Sequence, residues 1–187
     1  TQLNNTDFCV TYFAKNFSQA SRIIVANVAK SALTNELNNW CAEQKITCKQ
    51  IHSEQKKNML VSAYQEPSSL GIDRWLALLG TIHLYPKQNV LIIDAGTATT
   101  VDLLASNGQH QGGWILAGIK ALFISILSHS TLVHAKNKTE ASLAFGANTT
   151  DNVNNACWAA SLGMIEQAIV QAQQLGDVER VILTGGD

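Results

Sequence analysis

An acidic residue, a glycine and three hydroxyl side chains are crowded into Asp94-Ala95-Gly96-Thr97-Ala98-Thr99-Thr100. The apolar run Val90-Leu91-Ile92-Ile93 comes immediately before, so a buried strand delivers Asp94 to its carboxyl end and Gly96 lets the backbone turn tightly. A turn of this kind offers N–H groups and hydroxyls to phosphate oxygens, while the aspartate holds a cation or its water shell. The same residues also suit a plain hairpin turn with capping threonines. A second candidate is Gly71-Ile72-Asp73-Arg74-Trp75, preceded by Tyr64 and Pro67. Arg74 can fork onto a substrate carboxylate while Asp73 takes a proton from a hydroxyl being phosphorylated. Equally, an acid at a helix start beside a solvated arginine needs no function beyond the helix dipole.

Three glycine-bearing stretches add to these. Gly112-Gly113-Trp114-Ile115-Leu116-Ala117-Gly118 sets glycines on both sides of an apolar strand, where a ligand or another backbone can come close. Gly146-Ala147-Asn148-Thr149-Thr150-Asp151 precedes a long helix, and Thr149 or Thr150 can simply cap it. Thr184-Gly185-Gly186 follows an apolar strand, where a nucleotide can pack against bare backbone. The histidines (His52, His83, His110, His129 and His134) show no metal-ligand spacing and read as ordinary surface or core residues.

The elements that must position these residues alternate in type. Phe8–Phe13 is expected to be a strand from its β-branched and aromatic content. Arg22–Val28 has a buried-strand pattern. Ser31–Glu43 places Leu33, Leu37, Trp40 and Cys41 at helical spacing, and Ile46–Ile51 is a short strand. Further on, Asp73–Leu84 reads as a helix ended by Pro86, and Val90–Asp94 as a strand with a hairpin partner at Thr99–Ala105. Asn107-Gly108 turns the chain into Gly112–Ala117. Ile119–Leu127 and Asp151–Leu175 read as helices, and Arg180–Leu183 as a last strand. Strand–helix–strand order predicts a mixed α/β fold.

Composition narrows the partners. Of the 187 residues 46% are apolar and 14% charged, which suits a well-buried core. Net charge is −1 and no basic cluster exceeds Lys56-Lys57, so nucleic acid and anionic membrane find no electrostatic footprint. No apolar run approaches the ~18 residues of a membrane span, and no signal peptide is read at the start. Cys9, Cys41, Cys48 and Cys157 are scattered without a C-x-x-C pair, which points to reduced, mostly buried thiols, a cytoplasmic location and no zinc.

Taken in order, these elements resemble the type III pantothenate kinases (Bvg accessory factor-like proteins) and, more distantly, the actin and sugar-kinase superfamily. The likeness is carried by P-x-x-L-G-x-D-R (Pro67–Arg74), D-x-G-T-A-x-T-x-D (Asp94–Asp102), G-G-x-I-x-x-G (Gly112–Gly118), G-x-N-T (Gly146–Thr149) and the terminal T-G-G. It runs from about Arg22 to Asp187. The resemblance implies two ribonuclease-H-like, actin-like lobes with mixed sheets flanked by helices. Residues 1–66 would be the remainder of the N-terminal lobe and 67–187 the C-terminal lobe.

The activity implied is ATP-dependent phosphorylation of pantothenate to 4′-phosphopantothenate, the first step of coenzyme A synthesis. Asp73 would be the general base. Tyr64, Gly71, Ile72, Arg74 and Thr149 would touch pantothenate, and Thr97 would contact ATP. Asp94 would hold a monovalent cation, potassium or ammonium, with magnesium accompanying ATP. Family members are homodimers whose pantothenate pocket is built at the subunit interface, so a homodimer is expected here.

Two departures from the family pattern stand out. Ala117 occupies the place of a proline, and alanine can adopt the φ that proline sets. Nothing before Arg22 matches the family's opening D-x-G-N-T phosphate loop, because Asn4-Asn5-Thr6 lacks both the aspartate and the glycine. The family's helix after T-G-G is also missing, and truncation at both ends is the expectation. Two other readings stay open at this point: a non-catalytic regulatory relative on the same fold, and a phosphohydrolase with water beside Asp73.

Overall fold

The computed structural model describes residues 9–28, 31–138 and 140–186. In chain order the elements are α1 (Val10–Phe17), β1 (Arg22–Val25), α2 (Ser31–Glu43), β2 (Thr47–Gln50), β3 (Lys56–Lys57) and β4 (Leu60–Val61). After a 3₁₀ turn at Pro67–Ser69 come α3 (Ile72–Leu84), β5 (Val90–Ala95), β6 (Ala98–Leu104), β7 (His110–Ala117), α4 (Ile119–His129), α5 (Thr149–Leu175) and β8 (Arg180–Gly185). The chain divides into two compact units that interleave along the sequence. One takes Thr1–Glu54 with Glu66–Leu76, and the other Gln55–Gln65 with Ala77–Asp187.

The first unit is a strand–helix–strand arrangement. β1 and β2 pair in parallel, with Arg22 opposite Thr47 and Val25 opposite Gln50, and α2 makes the crossover that parallel pairing requires. Its core is Phe13, Leu37, Trp40, Cys41 and Ile46, with Ile23, Val25 and Cys48 packed alongside. The expected strand over Phe8–Phe13 is overturned: residues from Val10 onward are helical, and Phe8 lies outside the described residues. Val10, Phe13 and Phe17 recur at helical spacing. Phe13 is fully buried with its ring centroid 5.8 Å from that of Trp40, so packing overrides strand propensity. Cys41 sits inside this core. Burial, with the Cys48 thiol beside it, pushes its thiol up to about 11. All four cysteines are free, with Cys41 and Cys157 buried and Cys9 and Cys48 half-buried.

The second unit is built on a four-stranded sheet in the order β7-β6-β5-β8. Val90, Leu91, Ile92 and Ile93 of β5 are all buried, as a continuous apolar run between two neighbouring strands predicts. β6 pairs antiparallel with β5 and β8 pairs parallel on its other side. The sheet is covered by α5: Leu91, Ile93 and Val101 meet Ala168 and Ala172. Small residues on that helix allow a close approach. α4 joins through Phe123, which packs with Val153 and Cys157. Every other element expected from the sequence is found, with ends shifted by a residue or a few. Strand β1 is the shortest against expectation and stops at Val25.

Candidate active site

In the first unit, the Gly71–Arg74 stretch opens α3. The chain reaches it through the 3₁₀ turn, where Ser53 Oγ donates to the Leu70 carbonyl at 2.7 Å. The Gly71 carbonyl accepts the Trp75 N–H at 3.0 Å and so starts the helix. Leu70, Ile72 and Trp75 are buried, anchoring the turn from below. Asp73 stays exposed on the first helical turn, where the helix dipole favours a carboxylate. Its Oδ1 accepts the Arg74 N–H at 2.8 Å. A β-carbon on Gly71 would lie 2.6 Å from that same oxygen, so glycine is what leaves the carboxylate room.

Arg74 is only 5% exposed, contrary to a freely solvated arginine at a helix start. Trp75 is fully buried, and its indole N–H has no acceptor among the described residues. An orphaned donor of this kind costs about 1–3 kcal/mol.

In the second unit three separately noted stretches meet on one loop. β5 and β6 pair with Asp94 opposite Thr100 and Ala95 opposite Thr99, leaving Gly96-Thr97 as the turn. The Gly96 N–H donates to the Ala98 carbonyl at 3.1 Å. From one side β7 ends at Ala117, paired with Ala98. The Gly118 N–H then donates to the Thr97 carbonyl at 3.0 Å. From the other side β8 sets Thr184 opposite Asp94 and Gly185 opposite Ala95. Gly185 has φ of 118°, and a β-carbon there would fall 2.0 Å from the Ala95 carbonyl oxygen, so no other residue fits without a shift. Asp94 is half-buried, Thr97 exposed and Thr99 buried. The loop therefore offers an oxygen donor at a strand end and an exposed hydroxyl on the adjoining turn. An oxygen-only donor set suits a hard cation.

Thr149, the first residue of α5, is exposed. Neither it nor Thr150 caps the helix: the cap is Asn148, whose side chain accepts the Asp151 N–H at 2.9 Å. Asn148 Nδ2 donates back to the Asp151 carboxylate at 2.7 Å, and the Lys138 ammonium donates to it as well. The bonds from Lys138 and Asn148 hold the Asp151 carboxyl below its ordinary range. Gly146 packs against this turn, since a β-carbon there would meet the Asn152 N–H nitrogen at 2.5 Å.

Tyr64 is half-buried and lies parallel to His110, with centroids 6.2 Å apart and planes at 7°. His110 is a core residue, 0% exposed, with Nε2 2.8 Å from Asp102 Oδ1. Sequence spacing did not disclose this pair. The register of β6 on β7 shifts between Asp102 and Leu104, so Leu104 faces His110 while Asp102 faces Gly113. One residue of slip turns His110 onto the Asp102 face. The available signal was Gly112, whose φ of 101° marks an irregular strand.

Known proteins match this chain in both sequence and fold. A family model for type III pantothenate kinases matches residues 2–171. A type III pantothenate kinase from Colwellia psychrerythraea is 80% identical over 187 residues, all of this chain and 75% of that protein. One from Pseudoalteromonas translucida is 36% identical over 148 residues, 79% of this chain and 63% of that protein. A solved structure from Campylobacter jejuni, described as a candidate Baf family transcriptional activator, superposes with a TM-score of 0.58 at 27% identity. It covers 92% of this chain and 73% of that one.

Proposed function

This chain belongs to the type III pantothenate kinase family, and on that premise we propose that Asp73 is the base that prepares pantothenate for phosphorylation. The chain is an ATP-using kinase acting on pantothenate in coenzyme A biosynthesis, with magnesium accompanying ATP. The observation that carries the role of Asp73 is its exposure on the first turn of α3, with Gly71 leaving its carboxylate room while Ile72, Arg74 and Trp75 are buried.

In this reading Asp73 accepts the proton of the pantothenate hydroxyl as that oxygen bonds to the γ-phosphorus, and the bond from phosphorus to ADP breaks. Phosphoryl transfer asks little else of a protein beyond positioning and charge neutralisation. Arg74 pairs with the pantothenate carboxylate, and Tyr64, Gly71, Ile72 and Thr149 complete its binding. Thr97 contacts ATP on the Asp94–Thr100 loop. A monovalent cation at Asp94, potassium or ammonium, supplies positive charge beside the phosphates. The Asp94 carboxylate and the exposed Thr97 hydroxyl are hard oxygen donors of the kind such an ion takes.

The reading also includes a division into lobes at residues 1–66 and 67–187, a homodimer, and a cytoplasmic setting. The homodimer is supported by exposed apolar residues of the second unit, Ile115, Leu143 and Phe145 among them. Among the described residues no helix is long and apolar enough to cross a membrane.

The test is Asp73→Asn in the full-length enzyme, assayed for 4′-phosphopantothenate. Turnover is expected to fall roughly 10²–10⁴-fold with little change in pantothenate affinity, the scale of losing a general base. Near-normal turnover would remove Asp73 from the mechanism.

A further inference from the structure

We propose that His110 is a positioning residue for the substrate side of the site: gripped by Asp102, it holds Tyr64 in the place where pantothenate binds. The proposal rests on the reading that Tyr64 touches pantothenate.

A fully buried histidine facing a 3% exposed aspartate is expensive to place in an apolar interior. Well-packed hydrophobic residues in the same space often stabilise a fold more than a buried ionisable pair does. The pair therefore calls for a role other than stability, and its contacts indicate which.

The two ring nitrogens have separate duties. Nδ1 accepts the Ala63 N–H at 3.5 Å, and Nε2 lies 2.8 Å from Asp102 Oδ1. An acceptor Nδ1 leaves the proton on Nε2, which donates it to the carboxylate. Asp102 thus fixes both the tautomer and the ring plane, and the ring plane in turn receives Tyr64 at 7°.

The backbone that carries Tyr64 is fastened to the same place. The Val61 N–H donates to the Gly108 carbonyl at 3.0 Å, and Gln109 Nε2 donates to the Val61 carbonyl at 3.4 Å. The Ser62 N–H donates to the Gln55 carbonyl at 2.9 Å, and the Tyr64 N–H to Ser62 Oγ at 3.1 Å. Val61 and Ala63 are therefore tied to the start of β7, and Tyr64 follows them directly. The Tyr64 ring extends from this backbone and lies parallel to the imidazole, with centroids 6.2 Å apart.

The experiment uses the full-length enzyme and a double-mutant cycle. His110→Phe keeps a flat ring but loses both nitrogen contacts, and His110→Gln keeps a polar side chain without a ring. Each is combined with Tyr64→Ala, and KM is measured separately for pantothenate and for ATP alongside a melting curve. His110→Gln is expected to raise the pantothenate KM about 3–10-fold, the scale of an aromatic pair, and His110→Phe, which keeps a ring without its nitrogen contacts, by less, with the ATP KM unchanged in both. In the Tyr64→Ala background they should add nothing.

Effects that multiply with Tyr64→Ala, or an ATP KM that rises equally, would overturn the proposal. So would failure of both His110 variants to fold, which would assign His110 to the core alone. Should Tyr64→Ala itself leave the pantothenate KM unchanged, the substrate role of Tyr64 falls and the proposal with it. A raised KM in Tyr64→Ala beside normal His110 variants removes His110 only.

Discussion

Gly118 stands so close to Gly96 that a β-carbon on it would lie 2.2 Å from the Gly96 carbonyl oxygen. Its φ of −62° is one that any residue adopts, so the constraint is space and not backbone conformation. Gly118→Ala would push the end of β7 away from the Asp94–Thr100 loop. Overpacking of this kind costs about 1–3 kcal/mol, and the displaced loop should also raise the KM for ATP. Thermal melting together with ATP kinetics checks this. An alanine variant that melts and binds ATP like the parent would show that the close approach is dispensable.

Arg74→Lys separates the two substrates. Lysine keeps the charge but cannot reproduce a two-pronged bond to a carboxylate, and it would have to do so from a position that is 5% exposed. The pantothenate KM should rise about tenfold or more, the worth of one charge-assisted hydrogen bond, while the ATP KM holds. If the ATP term suffers instead, Arg74 does not serve the pantothenate carboxylate.

Asp94 makes a prediction about monovalent cations. A half-buried carboxylate at a strand end would repel phosphates brought beside it unless a cation lay between them. Activity is expected to rise with potassium or ammonium and to stay low in sodium, and Asp94→Asn should flatten that difference. Equal rates of the parent enzyme in all three salts would argue against the site.

Asp151 makes a pH prediction. Its carboxyl is held below the ordinary value of 3.8, first by the Lys138 bond and then by Asn148. A lowered folded-state pKa stabilises the protein fully above the unfolded value, and that stabilisation disappears as pH falls through the folded one. The melting temperatures of the parent and Asp151→Asn should therefore differ at neutral pH and converge in acid below that range. A gap of constant size across the titration would mean that the charge of Asp151 plays no part in holding the start of α5.

Much of the frame was legible because it is written in short-range pattern. Val90–Ile93 could only be a buried strand, and the periodic apolar residues of Ser31–Glu43 placed a helix correctly to the residue. Asp94, Gly96 and Thr97 announced a tight turn by their types alone. The chain's family was legible for the same reason, since its motifs are local strings. Phe8–Phe13 misled because its β-branched and aromatic side chains suit a strand, whereas from Val10 onward the chain is helical and Phe13 packs against Trp40.

By itself, then, the sequence determined most of the helices and strands and the family to which the chain belongs. Tertiary structure alone decided who meets whom. It brought Gly118 and Gly185 onto opposite sides of the Asp94–Thr100 loop, and it buried Arg74 while leaving Asp73 exposed beside it. It also turned His110 onto Asp102 through a single-residue shift in strand register. Local periodicity depends on a residue and its near neighbours, which a sequence displays directly. Register and close approach depend on the fit of surfaces far apart in the chain, where one residue of slip reverses the face a side chain presents.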